Sequence, residues 1–211
     1  MTHIYNVNET FQSLKGEGLF TGVPMSFIRL AGCNLNCKFC DTNFAQGKRL
    51  TKEEIYDRIK EYHTRRVVLT GGEPLYHDGI YELCDYLKDR KYKIHVETNG
   101  TFPPPFPFDW VTVSPKSSLL DFDIMKVADE VKYLCGSEGW QEIIFETFLK
   151  YKVYKKKHIL LMPIAVGKHD EAFTRDEKAM IQDNVVKAMD FCIRFPKFRY
   201  CVQLHKYLNI R

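Results

Sequence analysis

The sequence contains no apolar run as long as a membrane span, and its first residues, Met1-Thr2-His3, lack the apolar core of a signal peptide. We therefore expect a cytoplasmic protein with no membrane partner.

Neither sign of charge dominates, since 31 Lys and Arg residues stand against 27 Asp and Glu residues, a formal net charge of +4. The one basic run, residues 155–157, is typical of a solvated turn before a strand, so no nucleic-acid partner is expected.

A disulfide framework is also not indicated. The seven cysteines are an odd number in a chain that shows no secretion signal, which favours a metal-binding or reactive role over cross-linking. Four of the seven are dispersed in apolar surroundings, and we interpret these as reduced core residues: Cys84, Cys135, Cys192 and Cys201.

The length of 211 residues suits a single domain, which we expect to cover residues 1–211. Strands alternate with helices along the chain, which predicts right-handed βαβ units and a mainly parallel sheet. The predicted strands cover residues 25–30, 66–69, 93–97, 110–113, 129–134, 158–163 and 199–204. Helices are predicted to begin at Thr51, at about Asp78, at Ser137 and at Thr174. Capping boxes pair Thr51 with Glu54 and Thr174 with Glu177.

Prolines interrupt the alternation of strands and helices between residues 103 and 107, which predicts an extended connector where a crossover helix would otherwise lie. Unusual polar segments follow the predicted strands: residues 33–42, 71–74, 97–100, 114–116 and 203–206. In a parallel barrel such loops meet at one mouth. The sequence therefore predicts an α/β fold with an incomplete parallel βα barrel and a site at the C-terminal ends of its strands.

Three of the cysteines, Cys33, Cys37 and Cys40, fall within eight residues, flanked by Gly, Asn and Asp. No fourth Cys or His lies at ligand spacing, so a four-coordinate centre held here would keep one position open. Soft thiolates at this spacing suit an iron–sulfur cluster better than zinc. A zinc knuckle and a metal-free loop are the alternatives.

A second motif, Thr70-Gly71-Gly72-Glu73-Pro74, ends a predicted strand. Its glycines allow close backbone contact, and Glu73 offers an anionic partner for an ammonium group. Together with Cys33-x3-Cys37-x2-Cys40, it resembles the signature of radical S-adenosylmethionine (SAM) enzymes. That resemblance implies three thiolates on a [4Fe–4S] cluster, whose fourth iron binds the amine and carboxylate of SAM.

Further blocks, which extend over essentially the whole chain, resemble the 7-carboxy-7-deazaguanine synthase family of the queuosine pathway. They cover residues 11–18, 27–30, 40–42, 97–101, 113–116 and 203–208. The resemblance implies a shortened barrel and conversion of 6-carboxy-5,6,7,8-tetrahydropterin to 7-carboxy-7-deazaguanine. In that reaction a 5′-deoxyadenosyl radical takes hydrogen from C6 of the pterin, the ring contracts, ammonia is lost and SAM is regenerated.

The same resemblance implies which residues bind the cofactors. Cluster ligands would be Cys33, Cys37 and Cys40, and Thr42 would bind Mg²⁺ together with waters and the substrate carboxylate. Contacts to SAM would come from Phe39, Cys40, Asp41, Gly71, Gly72, Glu73, Gly100, Ser114 and Lys116. Without the resemblance, Asp41-Thr42 would be a loop pair, Ser114 a turn former and Lys116 a surface charge.

Substrate contacts are implied at Leu14, Lys15, Gly16, Glu17, Arg29, Thr98, His205 and the terminal carboxylate of Arg211. Among these, Glu17, Arg29 and His205 are the expected catalytic residues. Arg29 would hold the pterin carboxylate with its guanidinium, the alternative being a surface salt bridge. Glu17 would read the guanidine-like edge of the pterin. The family usually has Gln where this chain has Lys15.

The resemblance further implies a homodimer and an electron donor such as flavodoxin. Two other classes of protein share part of this pattern and are the alternatives. A glycyl-radical-activating enzyme shares the cysteine spacing and the modest size, but it docks a protein and needs no pterin-reading loop. An iron–sulfur electron carrier or a zinc-binding interaction module has no use for Gly71-Gly72-Glu73-Pro74.

Overall fold

One twisted sheet of nine strands organises the computed structural model, which describes residues 3–40, 46–165 and 174–210. Its strands are β1 Tyr5–Leu14, β2 Pro24–Leu30, β3 Lys48–Leu50, β4 Arg66–Gly71, β5 Lys93–Thr98, β6 Trp110–Val113, β7 Glu130–Cys135, β8 His158–Pro163 and β9 Arg199–Tyr200. Their order is β3-β1-β2-β4-β5-β6-β7-β8-β9. Strands β2 and β4 to β9 pair in parallel, whereas β1 is antiparallel to β2 and β3. The α/β class and the incomplete barrel are therefore confirmed.

In the described ranges, six α-helices connect or follow these strands. They are α1 Lys52–Ile59, α2 Ile80–Asp89, α3 Phe122–Val127, α4 Trp140–Lys150, α5 Arg175–Arg194 and α6 Leu204–Leu208. Both predicted capping boxes are present, at Thr51 with Glu54 and at Thr174 with Glu177. The basic run at residues 155–157 lies in a turn before β8, as predicted.

The proline connector is also confirmed, because β5 and β6 pair in parallel although no helix lies between them. In place of a helix, Phe106 is buried against the main core, and Phe108 packs beside it at a ring distance of 5.7 Å. The aromatic side chains of the connector thus cover the outer face of the sheet where a crossover helix would normally lie.

Two predicted boundaries are wrong. Ser137 does not cap α4: its hydroxyl donates to the Leu134 carbonyl, and Gly139, with a φ of 65°, is the residue before the helix. The left-handed backbone needed at this entry suits glycine and not serine. The last strand ends at Tyr200 and not at residue 204, since Leu204 already begins α6.

The main apolar core lies between the outer face of the sheet and the helices, where Leu69, Ile94 and Ile159 meet Ile55 and Leu83. Among the four dispersed cysteines, Cys84 and Cys135 are buried, Cys192 and Cys201 are half-buried, and all are free thiols. Within the described ranges there is no helix of the length and apolarity that a membrane crossing would require.

A smaller aromatic cluster, here named the aromatic floor, fills the inside of the curved sheet near the N-terminal ends of its strands. It consists of Phe20, His95, Trp110 and His158. The Phe20 ring lies 4.7 Å from His95 and 4.9 Å from Trp110, and Trp110 lies 5.7 Å from His158. Phe20 also packs against the buried Phe11, Met25, Phe27 and Val68.

The two sides of the open sheet are joined by hydrogen bonds at the opposite end. The backbone amide of Leu204 donates to the Gly16 carbonyl at 2.8 Å, and the Gln203 side chain donates to Glu17 at 2.9 Å. The loop after β1 therefore contacts the C-terminal segment directly. These contacts explain why the chain leaves the strand conformation before residue 204.

Ile159 is fully buried near the start of β8, whereas Ile193 is 76% exposed on α5. We expect Ile159→Ala to lower the free energy of unfolding by about 2–5 kcal/mol, because it removes buried methyl groups and leaves a cavity. Ile193→Ala should change it by about 0.5 kcal/mol or less. Urea titration followed by circular dichroism measures both, and equal effects would contradict the packing described here.

Candidate active site

A cavity of about 580 Å³ opens at the C-terminal ends of the parallel strands. The predicted site residues that line it are Leu14, Lys15, Gly16, Glu17, Arg29, Cys33, Cys37, Phe39, Cys40, Gly71, Gly72, Thr98, Ser114, Lys116 and His205. The loops that follow separate strands therefore meet at one mouth. Asp41, Thr42 and Arg211 lie outside the described residues.

The cysteine loop forms one side of this mouth. Cys33, Cys37 and Cys40 are free thiols; Cys40 is exposed and the other two are half-buried. The Leu35 amide donates to Cys33 Sγ at 3.4 Å, and the Cys40 amide donates to the Cys37 carbonyl at 3.1 Å. Burial raises the pKa of the Cys33 and Cys37 thiols, while the Leu35 amide and the Lys116 charge act in the opposite direction.

The donor set at this mouth fits an iron–sulfur cluster. Among the described side chains, no three His, Cys, Asp or Glu groups meet closely enough to hold a single metal ion. A cluster is held differently, because each thiolate binds its own iron atom. Three thiols on one loop, which lines a cavity that also contains the Lys116 ammonium, are therefore a donor set that fits a cluster.

Gly71 lets the end of β4 lie directly against the end of β2, and Gly72 lets the following loop lie against the start of the cysteine loop. Gly71 has a φ of 132°, and a Cβ there would lie 2.0 Å from the Leu30 carbonyl oxygen. A Cβ on Gly72 would lie 1.9 Å from the Gly32 carbonyl oxygen. Because neither position has room for a side chain, the glycines are required by packing as well as by any ligand contact.

Glu73 and Gly100 are predicted SAM contacts that do not line the cavity. The Glu73 carboxylate is fully buried and accepts hydrogen bonds from the Leu75 amide, the Thr98 hydroxyl and the Asn99 amide. Burial raises the pKa of this carboxyl, and the three hydrogen bonds act against that rise. A Cβ on Gly100 would lie 2.6 Å from Val113. Direct contacts between SAM and these two residues stay predictions.

A buried ion network, which the sequence analysis did not anticipate, forms the inner wall. Lys132 of β7 binds the carboxylates of both Glu17 and Glu97, its nitrogen lying 3.0 Å from Glu97 Oε2. Lys15 binds the other oxygen of Glu97 at 2.5 Å. Gln203 completes the shell by donating to Glu17 Oε1 at 2.9 Å. The Lys132 side chain is only 4% exposed.

Electrostatics favours the ionised form of every member for which a shift is found. Burial alone raises the pKa of Glu17, but the charges of Lys132, Lys15 and His205 together hold it well below its usual value. The pKa of Glu97 is lowered in the same way by Lys132 and Lys15, against the effect of burial. Burial lowers the pKa of Lys132, yet its two carboxylate partners raise it well above its ordinary value.

One sequence signal could have found Lys132. Strand β7 reads Glu130-Val131-Lys132-Tyr133-Leu134-Cys135, and all six residues are buried. Charged residues at alternate positions of an otherwise apolar buried strand point to one face, where they need buried partners. Those partners lie 35 and 115 residues away in the sequence, so the pattern alone could not identify them.

Arg29, a predicted catalytic residue, lies in the cavity wall with its side chain 24% exposed. Its Nε donates to Glu9 Oε1 at 2.9 Å, and its guanidinium lies 5.8 Å from the centre of the Phe11 ring. His205 packs against Gly16, where a Cβ would meet the His205 Nδ1 at 2.3 Å. Both side chains line the cavity, and their contacts with a substrate stay predictions.

Lys116 lies near the cysteine loop and donates to the Ser114 hydroxyl at 2.8 Å. Its ammonium lies 5.9 Å from the centre of the Phe39 ring. Burial, together with the positive charge of Lys132, lowers the pKa of Lys116 to about 8. Lys116 is therefore a half-buried cation in the cavity wall, and its contact with SAM stays a prediction.

The chain folds as a parallel half-barrel with three thiols at its mouth, which is the architecture of one class of enzymes. The family model of that class, the Radical SAM superfamily, matches residues 27–173. Curated relatives narrow the class. The "7-carboxy-7-deazaguanine synthase" of Bacteroides thetaiotaomicron is 38% identical over 206 residues, which cover 97% of this chain and 98% of that protein. The enzyme of the same name from Bradyrhizobium diazoefficiens is 34% identical over 236 residues, an alignment that covers 98% of this chain and 99% of that protein.

Among solved structures, QueE from Escherichia coli superposes with a TM-score of 0.77 at 30% identity, covering 96% of this chain and 95% of that one. The chain belongs to the radical SAM superfamily and, within it, to the 7-carboxy-7-deazaguanine synthase family. Membership of the superfamily implies a [4Fe–4S] cluster and SAM as cofactors.

We expect Lys132→Met to lower the free energy of unfolding at pH 7 by about 3–5 kcal/mol, because it leaves buried carboxylates without their shared cation. In the wild type, the lowered pKa of Glu17 contributes stability above the usual carboxyl pKa, and this is lost as the pH falls through the folded-state value. In the variant, an unpaired buried Glu17 should bind a proton more readily when folded. Its unfolding free energy should therefore rise as the pH falls from 7 to 5.

Lys187→Met is the matched control, since Lys187 pairs with Asp183 on the exposed face of α5 and its side chain is 54% exposed. It should change the unfolding free energy by about 0.5 kcal/mol or less at either pH. Urea titrations at pH 5, 6 and 7 measure all three proteins. A Lys132→Met curve parallel to that of the control would contradict a shared buried cation.

Proposed function

We propose that this protein is a radical SAM lyase that converts 6-carboxy-5,6,7,8-tetrahydropterin to 7-carboxy-7-deazaguanine with loss of ammonia, in the queuosine pathway. The observation that carries the proposal is the single cavity, which brings the three thiols, the glycine loop, Arg29 and Glu17 together. Relatives of that name, matched over almost the whole chain, support it. The proposed enzyme is one radical SAM domain spanning residues 1–211.

Cys33, Cys37 and Cys40 would hold the cluster and leave one iron open for the amine and carboxylate of SAM. When bound and reduced, the cluster and SAM supply a 5′-deoxyadenosyl radical that removes hydrogen from the substrate. Contacts to SAM are proposed at Phe39, Cys40, Asp41, Gly71, Gly72, Glu73, Gly100, Ser114 and Lys116. The tight packing of Gly71 and Gly72 against the cysteine loop supports backbone contacts there.

The substrate end of the cavity would combine the Arg29 guanidinium, which is paired with Glu9, with the carboxylate of Glu17. Arg29 would bind the pterin carboxylate with its guanidinium. Glu17 would accept hydrogen bonds from the guanidine-like edge, and Lys132 keeps its carboxylate ionised and fixed in place for that task. Leu14, Lys15, Gly16, Thr98, His205 and the carboxylate of Arg211 are the remaining proposed substrate contacts.

Lys15, where the family usually has Gln, points its ammonium at Glu97, with the nitrogen 2.5 Å from Oε1. Its charge therefore balances a second buried carboxylate in addition to any contact with the substrate. We also propose Mg²⁺ bound through Thr42 and the substrate carboxylate, an electron donor such as flavodoxin, and a homodimer. A glycyl-radical-activating enzyme is not favoured, because the relatives that match the whole chain carry the synthase name.

The decisive assay uses anaerobically reconstituted enzyme with SAM, a reductant, Mg²⁺ and the carboxytetrahydropterin. We expect a product with the mass of 7-carboxy-7-deazaguanine, and we expect Cys37→Ala to abolish it because one cluster ligand is lost. Cys192→Ala, which removes a half-buried thiol on α5, is the control and should keep the activity. A well-formed cluster with no deazaguanine product would remove the specific assignment and leave the superfamily intact.

Arg29→Lys keeps the positive charge but removes the planar pair of donors. We expect the KM for the pterin to rise about 10- to 100-fold with a smaller change in kcat, because a bidentate contact to the carboxylate is lost. Arg49→Lys, on the exposed strand β3, is the control. Steady-state kinetics with varied pterin measures both variants, and an unchanged KM in Arg29→Lys would exclude the proposed carboxylate contact.

A further inference from the structure

Asn34, which follows the first cysteine of the loop, uses both ends of its side-chain amide. Its Nδ2 donates to the Thr101 hydroxyl at 3.0 Å, and its Oδ1 accepts from Asn99 Nδ2 at 2.9 Å. Both partners lie in the loop after β5, on another side of the cavity mouth. The cysteine loop, which carries two predicted cluster ligands beyond Asn34, is thus attached to a neighbouring loop by Asn34.

The receiving loop is itself held rigidly. Asn99 Oδ1 accepts from both the amide and the hydroxyl of Thr101, at 3.0 and 2.7 Å. The backbone amide of Asn99 donates to Glu73 Oε2 at 2.7 Å, and the Thr98 hydroxyl donates to Glu73 Oε1 at the same distance. Hydrogen bonds therefore run from Asn34 through Asn99 and the buried Glu73 to Thr98, which lines the cavity wall.

Other anchors of the cysteine loop lie at its two ends or are weak. At the start, the Glu73 amide donates to the Gly32 carbonyl at 2.9 Å; near the end, Phe39 packs against Leu134 and Met162. The Lys38–Glu138 pair joins side chains that are 88% and 87% exposed, so it contributes little. Between Cys33 and Lys38, the side-chain hydrogen bonds to other described loops come from Asn34.

We propose that Asn34 is a positioning residue that locks the cysteine loop to the Thr98–Thr101 loop and so fixes the cluster ligands relative to the substrate wall. The anchoring itself follows from the contacts of the described residues, whereas the effect on catalysis rests on the proposed function. Loss of the two amide hydrogen bonds lets the cysteine loop move independently of Thr98. Radical formation then continues, but fewer radicals meet the substrate hydrogen in a productive position.

The first test needs no bound cofactor. Lys38 is exposed in the cysteine loop, so trypsin cleavage after it reports how often the loop opens. In the full chain without its cluster, Asn34→Ala should be cleaved at this bond about tenfold faster than the wild type, because two hydrogen bonds that close the loop are lost. Mass spectrometry of the fragment that ends at Lys38 gives the rate, and circular dichroism confirms that the fold is retained.

Asn36→Ala is the matched control, since Asn36 is exposed in the same loop and no hydrogen bond of its side chain is found within the described chain. It should be cleaved at the wild-type rate. Thr101→Val removes the partner hydroxyl alone and should give an intermediate rate. Because this hydroxyl also donates to Asn99 Oδ1 at 2.7 Å, the effect of Thr101→Val in the Asn34→Ala background should be smaller than in the wild type without vanishing, which is the signature of a partly shared contact.

The second test uses the reconstituted enzyme and compares the 5′-deoxyadenosine released with the deazaguanine formed. We expect Asn34→Ala to raise this ratio about tenfold while its iron content stays unchanged, and Asn36→Ala to leave the ratio alone. Equal trypsin rates for the two variants overturn the proposal, and so does an unchanged ratio in an active enzyme. A wild type that forms no product overturns the proposed function instead, and the trypsin comparison then still decides the role of Asn34.

Discussion

The ammonium of Lys132, shared between Glu17 and Glu97, is the interaction on which the cavity depends. Carboxylates stay ionised in the interior of a protein only where cations lie beside them, and this cation is supplied by Lys132, the one lysine of a strand whose six residues are all buried. It joins β7 to β5 and to the loop after β1. Gln203 extends the same network to the C-terminal segment, so this side of the open sheet is closed by polar contacts and not by further strands.

The rim of the cavity is built on a different principle. There the backbone itself must come close: Gly71 leaves no Cβ between β4 and Leu30 at the end of β2, and Gly72 leaves none against Gly32 at the start of the cysteine loop. The Glu73 carboxylate then accepts hydrogen bonds from the adjacent Thr98–Asn99 segment. The rim therefore positions thiols and backbone groups, while the deeper ion network places fixed charge in the inner wall of the cavity.

Local chemistry made much of this predictable from the sequence. Strand periods, two capping boxes and the proline connector identified most elements, and the polar segments that follow the strands predicted one shared mouth at the C-terminal edge of the sheet. Serine is a residue type that commonly caps helices, which is why Ser137 is the predicted cap. The backbone at this helix entry is left-handed, however, and requires the glycine two residues later. Lys132 was missed for another reason: its role depends on partners that only the folded sheet brings near. The shortened β9 likewise reflects contacts of Leu204 and Gln203 with the distant Gly16-Glu17 loop.

The aromatic floor has a consequence for molecular traffic. Phe20, His95, Trp110 and His158 fill the inside of the sheet at the end opposite the thiols, and Glu130 holds the Leu19 amide at 2.7 Å beside them. With side chains at that end, the cavity opens at the edge of the sheet that the cysteine loop borders. If two ligands share this opening, the one that lies deeper must bind first and leave last. The side-chain packing of the aromatic floor would thus set the order of binding and release for two ligands that share the opening.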